Sequence, residues 1–188
     1  MRIIAGKYRS RILKSLKGLA LRPTSDRLRE TLFNVLGSAV AGSRFLDVFA
    51  GTGAVGIEAL SRGAAHVTFL ENHAPAAKLI RQNLDALKIA TNYTILAADA
   101  LTAFQKLAAR HTPSTPPFDF VFVDPPYAAH VDYARTLEFL ATANFLAHDA
   151  LVIFEHHHKF QLPEQFDRLR RTRILKQGDA TLSFFLVV

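Results

Sequence analysis

Cysteine is absent from this chain of 188 residues, which excludes disulfides and thiolate metal centres and fits a reducing compartment. Long hydrophobic runs are absent too. No stretch approaches the roughly 18 apolar residues of a membrane span, and Met1 to Ser15 has no apolar core of signal-peptide length. Internal repeats and low-complexity tracts are also missing. A soluble cytoplasmic protein is expected, a monomer with no membrane association. Acid is scarce at one end only: residues 1–44 hold ten Lys/Arg against Asp26 and Glu30, a local balance of +8 in a chain whose net charge is +7. Residues 45–188 therefore balance at −1, with 13 basic and 14 acidic side chains. A cationic end on a nearly neutral body points to a polyanionic partner held by that end.

What is present is apolar side chain, 49% of the residues, enough for one well-filled core but short of two full domains. Residues 1–43 read as a basic extension and residues 44–188 as the main domain. In the extension, Arg2 to Lys14 forms two short extended runs about Gly6, which predicts a hairpin or ribbon. Arg22-Pro23-Thr24-Ser25 then stops the ribbon and offers a hydroxyl cap to a helix with Leu28, Leu32, Phe33 and Leu36 on one stripe, ending near Gly37.

From residue 44 the pattern alternates. Strands are expected over 44–49, 65–70, 93–97, 118–123 and 149–155, and helices over 54–62, 74–88, 100–110 and 131–143. Strands joined by crossover helices imply an α/β fold with parallel pairing and helices on both faces. Arg171 to Lys176 and Thr181 to Val188 flank Gln177-Gly178-Asp179-Ala180 with no helix between them, which predicts an antiparallel hairpin closing the sheet.

The chemistry concentrates at two strand ends. Asp124-Pro125-Pro126-Tyr127 follows the apolar run Phe118 to Val123. It fixes a carboxylate, a rigid carbonyl and an aromatic face on one sheet edge. Asp124 and the Pro125 carbonyl can accept the two N–H bonds of an amino group on a flat base, and Tyr127 can stack on its ring. An ordinary strand-ending turn would use the same residues.

The second end is Asp47-Val48-Phe49-Ala50-Gly51-Thr52-Gly53, running into Gly56. The glycines allow a ligand to approach backbone closely, and the first helical N–H groups beyond them are free to donate. By itself Gly51-x-Gly53-x-x-Gly56 also matches a dinucleotide turn. A carboxylate at Asp47 would oppose a pyrophosphate there but would welcome an ammonium and a sulfonium, so the ligand inferred is S-adenosylmethionine. Glu71 ends the next strand, placed to accept the ribose hydroxyls. Asp99, after the third, can reach the adenine amino group or simply cap a helix. The expected cofactor contacts are Asp47, Phe49, Ala50, Gly51, Thr52, Gly53, Gly56, Glu71, Asn72, Asp99 and Ala100.

The stretch Phe45 to Ala64, the Asp124–Tyr127 turn and the block Leu21-Arg-Pro-Thr-Ser-Asp-Arg-Leu-Arg-Glu-Thr-Leu-Phe-Asn34 together resemble the RsmD family of bacterial 16S ribosomal RNA guanine-N2 methyltransferases. The resemblance runs from Arg2 to the closing strand. It implies a Rossmann-like class I methyltransferase: a mostly parallel seven-stranded sheet with a C-terminal antiparallel hairpin and a small N-terminal extension. It also implies a guanine of 16S rRNA within the small subunit as target. Asp124, Pro125 and Tyr127 are then the expected catalytic residues, and Lys7, Arg9, Arg11, Arg22, Arg27 and Arg29 the expected RNA contacts. No metal is expected: His156-His157-His158 reads as a solvated loop, since consecutive histidines make a poor zinc site. Three rival readings use the same residues. A DNA amino-group methyltransferase shares the Asp124 turn, but little beyond the extension is left to read bases. A non-catalytic RNA-binding assembly factor would not need that turn or Asp47. A dinucleotide oxidoreductase is opposed by Asp47.

Overall fold

The computed structural model describes residues 1–15 and 25–188. Arg22 and the start of the Leu21–Asn34 block lie outside those residues. The apolar runs form five parallel strands, β1 (Arg44–Val48), β2 (His66–Leu70), β3 (Tyr93–Leu96), β4 (Phe118–Val123) and β5 (Leu146–His157). The helical patterns form α1 (Asp26–Leu36), α2 (Ala54–Ser61), α3 (Ala74–Ala86), α4 (Ala100–Arg110) and α5 (His130–Thr142). An antiparallel tail follows, β6 (Gln165–Phe166), β7 (Leu169–Gln177) and β8 (Ala180–Val187). Together they make one eight-stranded sheet in the order β3-β2-β1-β4-β5-β8-β7-β6.

β1 and β4 are buried on both faces, so their side chains divide between two cores. Phe45 faces one, with Leu32 and Phe33 of α1, Ile57 of α2 and Ile80 of α3. Leu46 and Val48 face the other, with Phe104 of α4 and Leu137 and Leu140 of α5. The chain turns towards β2 and β3 on one side of β1 and crosses to β4 and β5 on the other, so the strand order reverses between β1 and β4. Open α/β sheets bind ligands at the carboxyl ends of the strands at such a point.

The expected alternation and closing hairpin are present, with three differences. β5 runs to His157 because it pairs with β8 as far as His157↔Ala180, and this carries His156 into the sheet, buried, its Nε2 2.9 Å from Ser183 Oγ. The solvated-loop reading therefore fails for that histidine. β6 adds a two-residue edge strand whose residues are exposed and carry no pattern. The N-terminal ribbon is short: one antiparallel bridge, Arg2↔Ile12, is accompanied by hydrogen bonds from the Ile3 N–H to the Arg11 carbonyl (2.9 Å), the Ser10 N–H to the Ile3 carbonyl (2.9 Å) and the Leu13 N–H to the Met1 carbonyl (3.1 Å).

Five backbone donors of the arm, those of Ile4, Ala5, Lys7, Tyr8 and Lys14, bond outside it. Glu58 of α2, fully buried, accepts the N–H groups of Ile4 (2.8 Å) and Ala5 (3.0 Å) and pairs with Arg62 at 2.8 Å. One helical turn on, the Ser61 carbonyl accepts the Lys7 N–H (2.7 Å) and its hydroxyl accepts that of Tyr8 (3.0 Å). Gly6 sits between them at φ +81°, and a Cβ there would lie 1.8 Å from the Ser61 carbonyl oxygen. Asn83 of α3 closes the far end, accepting the Lys14 N–H (2.8 Å) while its amide donates to the Lys14 carbonyl (3.2 Å).

Candidate active site

Parallel pairing in register brings the strand ends level. Val48 pairs with Leu70 on one side and Val123 on the other, so Phe49, Glu71 and Asp124 leave β1, β2 and β4 at one height. The Asp124 N–H donates to the Val48 carbonyl at 3.3 Å and ties the two turns together.

The glycine turn is held from below by two carboxylates. Asp47 is fully inside the protein and accepts the Gly56 N–H at 2.9 Å, which fixes the first turn of α2. Burial pushes its carboxyl up to about 8, with the charge of Glu71 adding to the rise and the Gly56 hydrogen bond opposing it. Among the described residues no cation pairs with it. Glu71 accepts the Gly51 N–H (2.7 Å) on one oxygen and the His73 N–H (2.8 Å) on the other. Phe49 adopts φ +61°, a left-handed conformation that is costly for a bulky residue and characteristic of functional turns. Gly51 and Gly53 follow at +55° and +76°.

Gly51 and Gly56 serve different ends. Gly51 has open space where a Cβ would stand, with only the Phe49 carbonyl at 3.9 Å, and so leaves a cradle for a ligand. A Cβ on Gly56 would lie 2.3 Å from the Phe69 ring and 2.8 Å from Val67, so this glycine lets α2 pack against β2. Its expected place among the ligand contacts becomes a packing role. The Thr52 carbonyl accepts from Asn83 (3.1 Å), so the side chain that closes the arm also braces this turn. Asn72 is exposed and Ala100 half-buried on the same edge. Asp99 caps α4, accepting the Thr102 N–H at 3.0 Å, and this bonding holds its carboxyl below the ordinary range.

The Asp124 turn has supports that no local spacing announced. Tyr133 of α5, buried, brings its hydroxyl to the carbonyls of Glu155 (3.0 Å) and Pro125 (3.3 Å). Burial and the nearby Asp124, Tyr127 and Glu155 raise its pKa, so it stays a neutral donor. Pro125 is thereby aimed by one lone pair and keeps the other. The Tyr127 hydroxyl donates to Glu155 Oε1 at 3.4 Å, and its ring meets the His157 ring edge to face, 5.6 Å between centroids. His157 in turn lies 4.4 Å from the His158 ring, and His158 Nδ1 stands 3.8 Å from Asp179. His157, His158 and Asp179 are one group among the described residues whose ligand atoms lie close enough to share an ion.

The expected RNA contacts divide. Lys7, Arg9, Arg11 and Arg27 are exposed. Arg29 is fully buried, and its guanidinium donates to the Arg2 carbonyl (2.5 Å) and Asp26 (2.9 Å), with its pKa lowered by burial. It fastens arm to helix, and none of its side chain reaches the surface. The signal was in the spacing, since Arg29 precedes Leu32, Phe33 and Leu36 by three, four and seven residues and so falls in the buried stripe.

Residues 1–186 match the model of the family described as conserved hypothetical protein 95. Several relatives bear the name ribosomal RNA small subunit methyltransferase D, two of them as follows. The protein of Haemophilus influenzae is 40% identical over 156 residues (82% of this chain, 78% of that one), and that of Escherichia coli K12 is 39% identical over 163 (87% and 78%). Among solved structures, HI0767 from Haemophilus influenzae superposes with a TM-score of 0.79 at 31% identity, covering 100% of this chain and 98% of that one. SMU.776, crystallised in complex with SAH, superposes with a TM-score of 0.67 at 16% identity (86% and 48%), which is a likeness of fold.

Proposed function

Because the chain belongs to the RsmD family of ribosomal RNA methyltransferases, we propose that it methylates the exocyclic N2 amino group of a guanine in 16S rRNA, on an assembled or assembling small subunit, with S-adenosylmethionine as donor. The fold is the Rossmann-like class I methyltransferase arrangement, and the observation that carries the reading is the junction of its two turns. The Asp124 N–H bonded to the Val48 carbonyl sets an amino-group acceptor beside a glycine cradle.

The residues fit that cofactor. Gly51 leaves room against the backbone, and Asp47 is a buried carboxylate that lacks a counter-ion among the described residues. Glu71 keeps a lone pair on each oxygen for ribose hydroxyls after serving Gly51 and His73. S-adenosylmethionine supplies a methyl group on a cationic sulfur, so no metal is needed.

The base nitrogen is a poor nucleophile because its lone pair is delocalised into the ring. Accepting its two N–H bonds at Asp124 and the Pro125 carbonyl favours a pyramidal nitrogen whose lone pair points at the methyl. Asp124 can take the proton late, once methylation has made the amine acidic. Tyr127, steadied by Glu155 and His157, stacks on a base that has left its helix or loop. Tyr133 acts through Pro125, as a positioning residue.

Lys7, Arg9, Arg11 and Arg27 supply the phosphate contacts of the 1–43 extension. The deciding experiment offers purified protein and labelled cofactor to small subunits from an unmodified strain and to duplex DNA, then maps the product by mass spectrometry. One methylguanine in 16S rRNA is expected. Label in DNA, or in adenine or cytosine, refutes the reading, and absent binding of S-adenosylmethionine restores the non-catalytic assembly factor.

A further inference from the structure

The near-neutral balance of residues 45–188 conceals a second cationic surface. β7 carries Arg170, Arg171, Arg173 and Lys176 with no acid, a local +4, which leaves the rest of that region at −5. Arg171 is employed structurally, donating to the Leu162 carbonyl at 2.7 Å and lying 3.5 Å from Glu164. Arg170, Arg173 and Lys176 are exposed and hold no ion pair among the described residues.

A β-bulge decides where two of them point. Arg170 and Arg173 are three residues apart, so in a regular strand they would face opposite sides of the sheet. The register shifts between Arg171 and Arg173, and as a result Arg170 lies opposite Leu186 and Arg173 opposite Phe184, partners two apart on β8. Both arginines therefore share a face, about 7 Å from one another along the strand. It is the face covered by α1, since Phe184 packs in the core beneath that helix. On the same face, farther along β7, Gln177 meets α1 where Thr31 Oγ1 lies 3.3 Å from its side chain, and the exposed Arg27 stands one helical turn from Thr31. Arg170 pairs with Gln165 of β6, β7 is otherwise the outer edge of the sheet, and Arg170 and Arg173 both remain exposed beside α1.

We propose that Arg170 and Arg173, continuing from Arg27, form a second RNA-backbone contact that holds the segment flanking the target nucleotide. The row starts beside the β7–β8 turn, which lies at the methylation edge because Ala180 pairs with His157. It reaches Arg170 about 20 Å farther along the strand, six residues of β8 at ~3.3 Å each. At that distance the contact touches RNA outside the reacting base, so it governs binding and leaves chemistry alone. This inference rests on the rRNA reading above.

The test compares R170E/R173E and the milder R170Q/R173Q with wild type on unmodified small subunits and on naked 16S rRNA. For both variants KM is expected to rise about tenfold, with kcat within about twofold and S-adenosylmethionine affinity unchanged. The slope of log affinity for naked RNA against log salt should become shallower by about 1.4, two single-strand phosphates at ~0.7 each. Unchanged KM and slope in a variant that still binds the cofactor overturn the inference. Weaker binding to subunits with unchanged binding to naked RNA also overturns it, by assigning the row to a ribosomal protein. If wild-type protein methylates neither substrate, the rRNA reading itself has failed, a result distinct from either outcome for the variants.

Discussion

Burial holds the Asp47 carboxyl at about 8 in the free protein, so at pH 7 roughly nine molecules in ten carry a proton there, and binding S-adenosylmethionine must displace it. The ligand brings an ammonium and a sulfonium. One unit charge about 4 Å away at an effective dielectric of about 20 is worth ~4 kcal/mol, enough to leave the carboxyl ionised at neutral pH. Binding therefore releases ~0.9 proton per site at pH 7, and affinity rises about tenfold from pH 6 to pH 7. Calorimetry in two buffers of different ionisation heat counts the protons directly, and Asp47→Asn should bind weakly with little pH dependence. The same group shapes the stability of the free protein. Its folded pKa exceeds the unfolded value of 3.8, so between about pH 4 and pH 8 the unfolded chain binds fewer protons than the native one. The contribution of Asp47 is therefore fully present below pH 4 and is lost as pH rises through 8, and the midpoint of free wild type should fall relative to Asp47→Asn across that window. Equal cofactor affinity at pH 6 and 7, with no buffer-dependent heat, would refute the argument.

Three further outcomes are expected. Asp124→Ala should lower kcat at least ~100-fold with cofactor affinity intact, and an active variant would remove Asp124 from the mechanism. Tyr133→Phe deprives two buried carbonyls of a donor and should cost about 1–3 kcal/mol of stability, measurable by denaturant titration. Because Pro125 loses its aim, the same change should also reduce kcat by roughly ten- to a hundredfold without altering cofactor affinity, and equal turnover would dismiss Tyr133 as a positioning residue. Gly6→Ala meets both a left-handed φ, worth ~1–2 kcal/mol, and the Ser61 carbonyl, so the Ile4 and Ala5 amides should exchange faster with solvent. Retained protection there would mean that the arm tolerates the methyl group.

Much of this was legible from local pattern. Val121 and Val123 lie in the unbroken apolar run Phe120 to Val123, and Leu46 and Val48 in a run interrupted only by Asp47; such runs specify buried parallel strands without reference to the rest of the chain. Asp124 could be read because it ends such a run, and Asp47 because a glycine turn follows closely behind it, and strand ends in an open sheet converge. What could not be read depends on contacts across the sequence. Tyr133 meets Glu155 only because α5 lies against the end of β5, and Asn83 reaches Lys14 across 69 residues. Glu58 looks like an ordinary helix-surface acid until the arm supplies two donors. The burial of Arg29 and the facing of the β7 cations escape a segment-wise sum of charge, because burial and facing are set residue by residue.

The anchoring of the arm on Glu58, Ser61 and Asn83 makes it a poor cassette. Grafted onto another methyltransferase, residues 1–14 would arrive without the carboxylate, hydroxyl and amide that spell out their path, and would collapse into an unguided basic peptide. Substitution of the exposed cations leaves these anchors in place, whereas loss of Glu58, Ser61 or Asn83 removes the path itself. Changes of RNA target are then expected to accumulate as point substitutions on this surface, with exchange of the whole arm disfavoured.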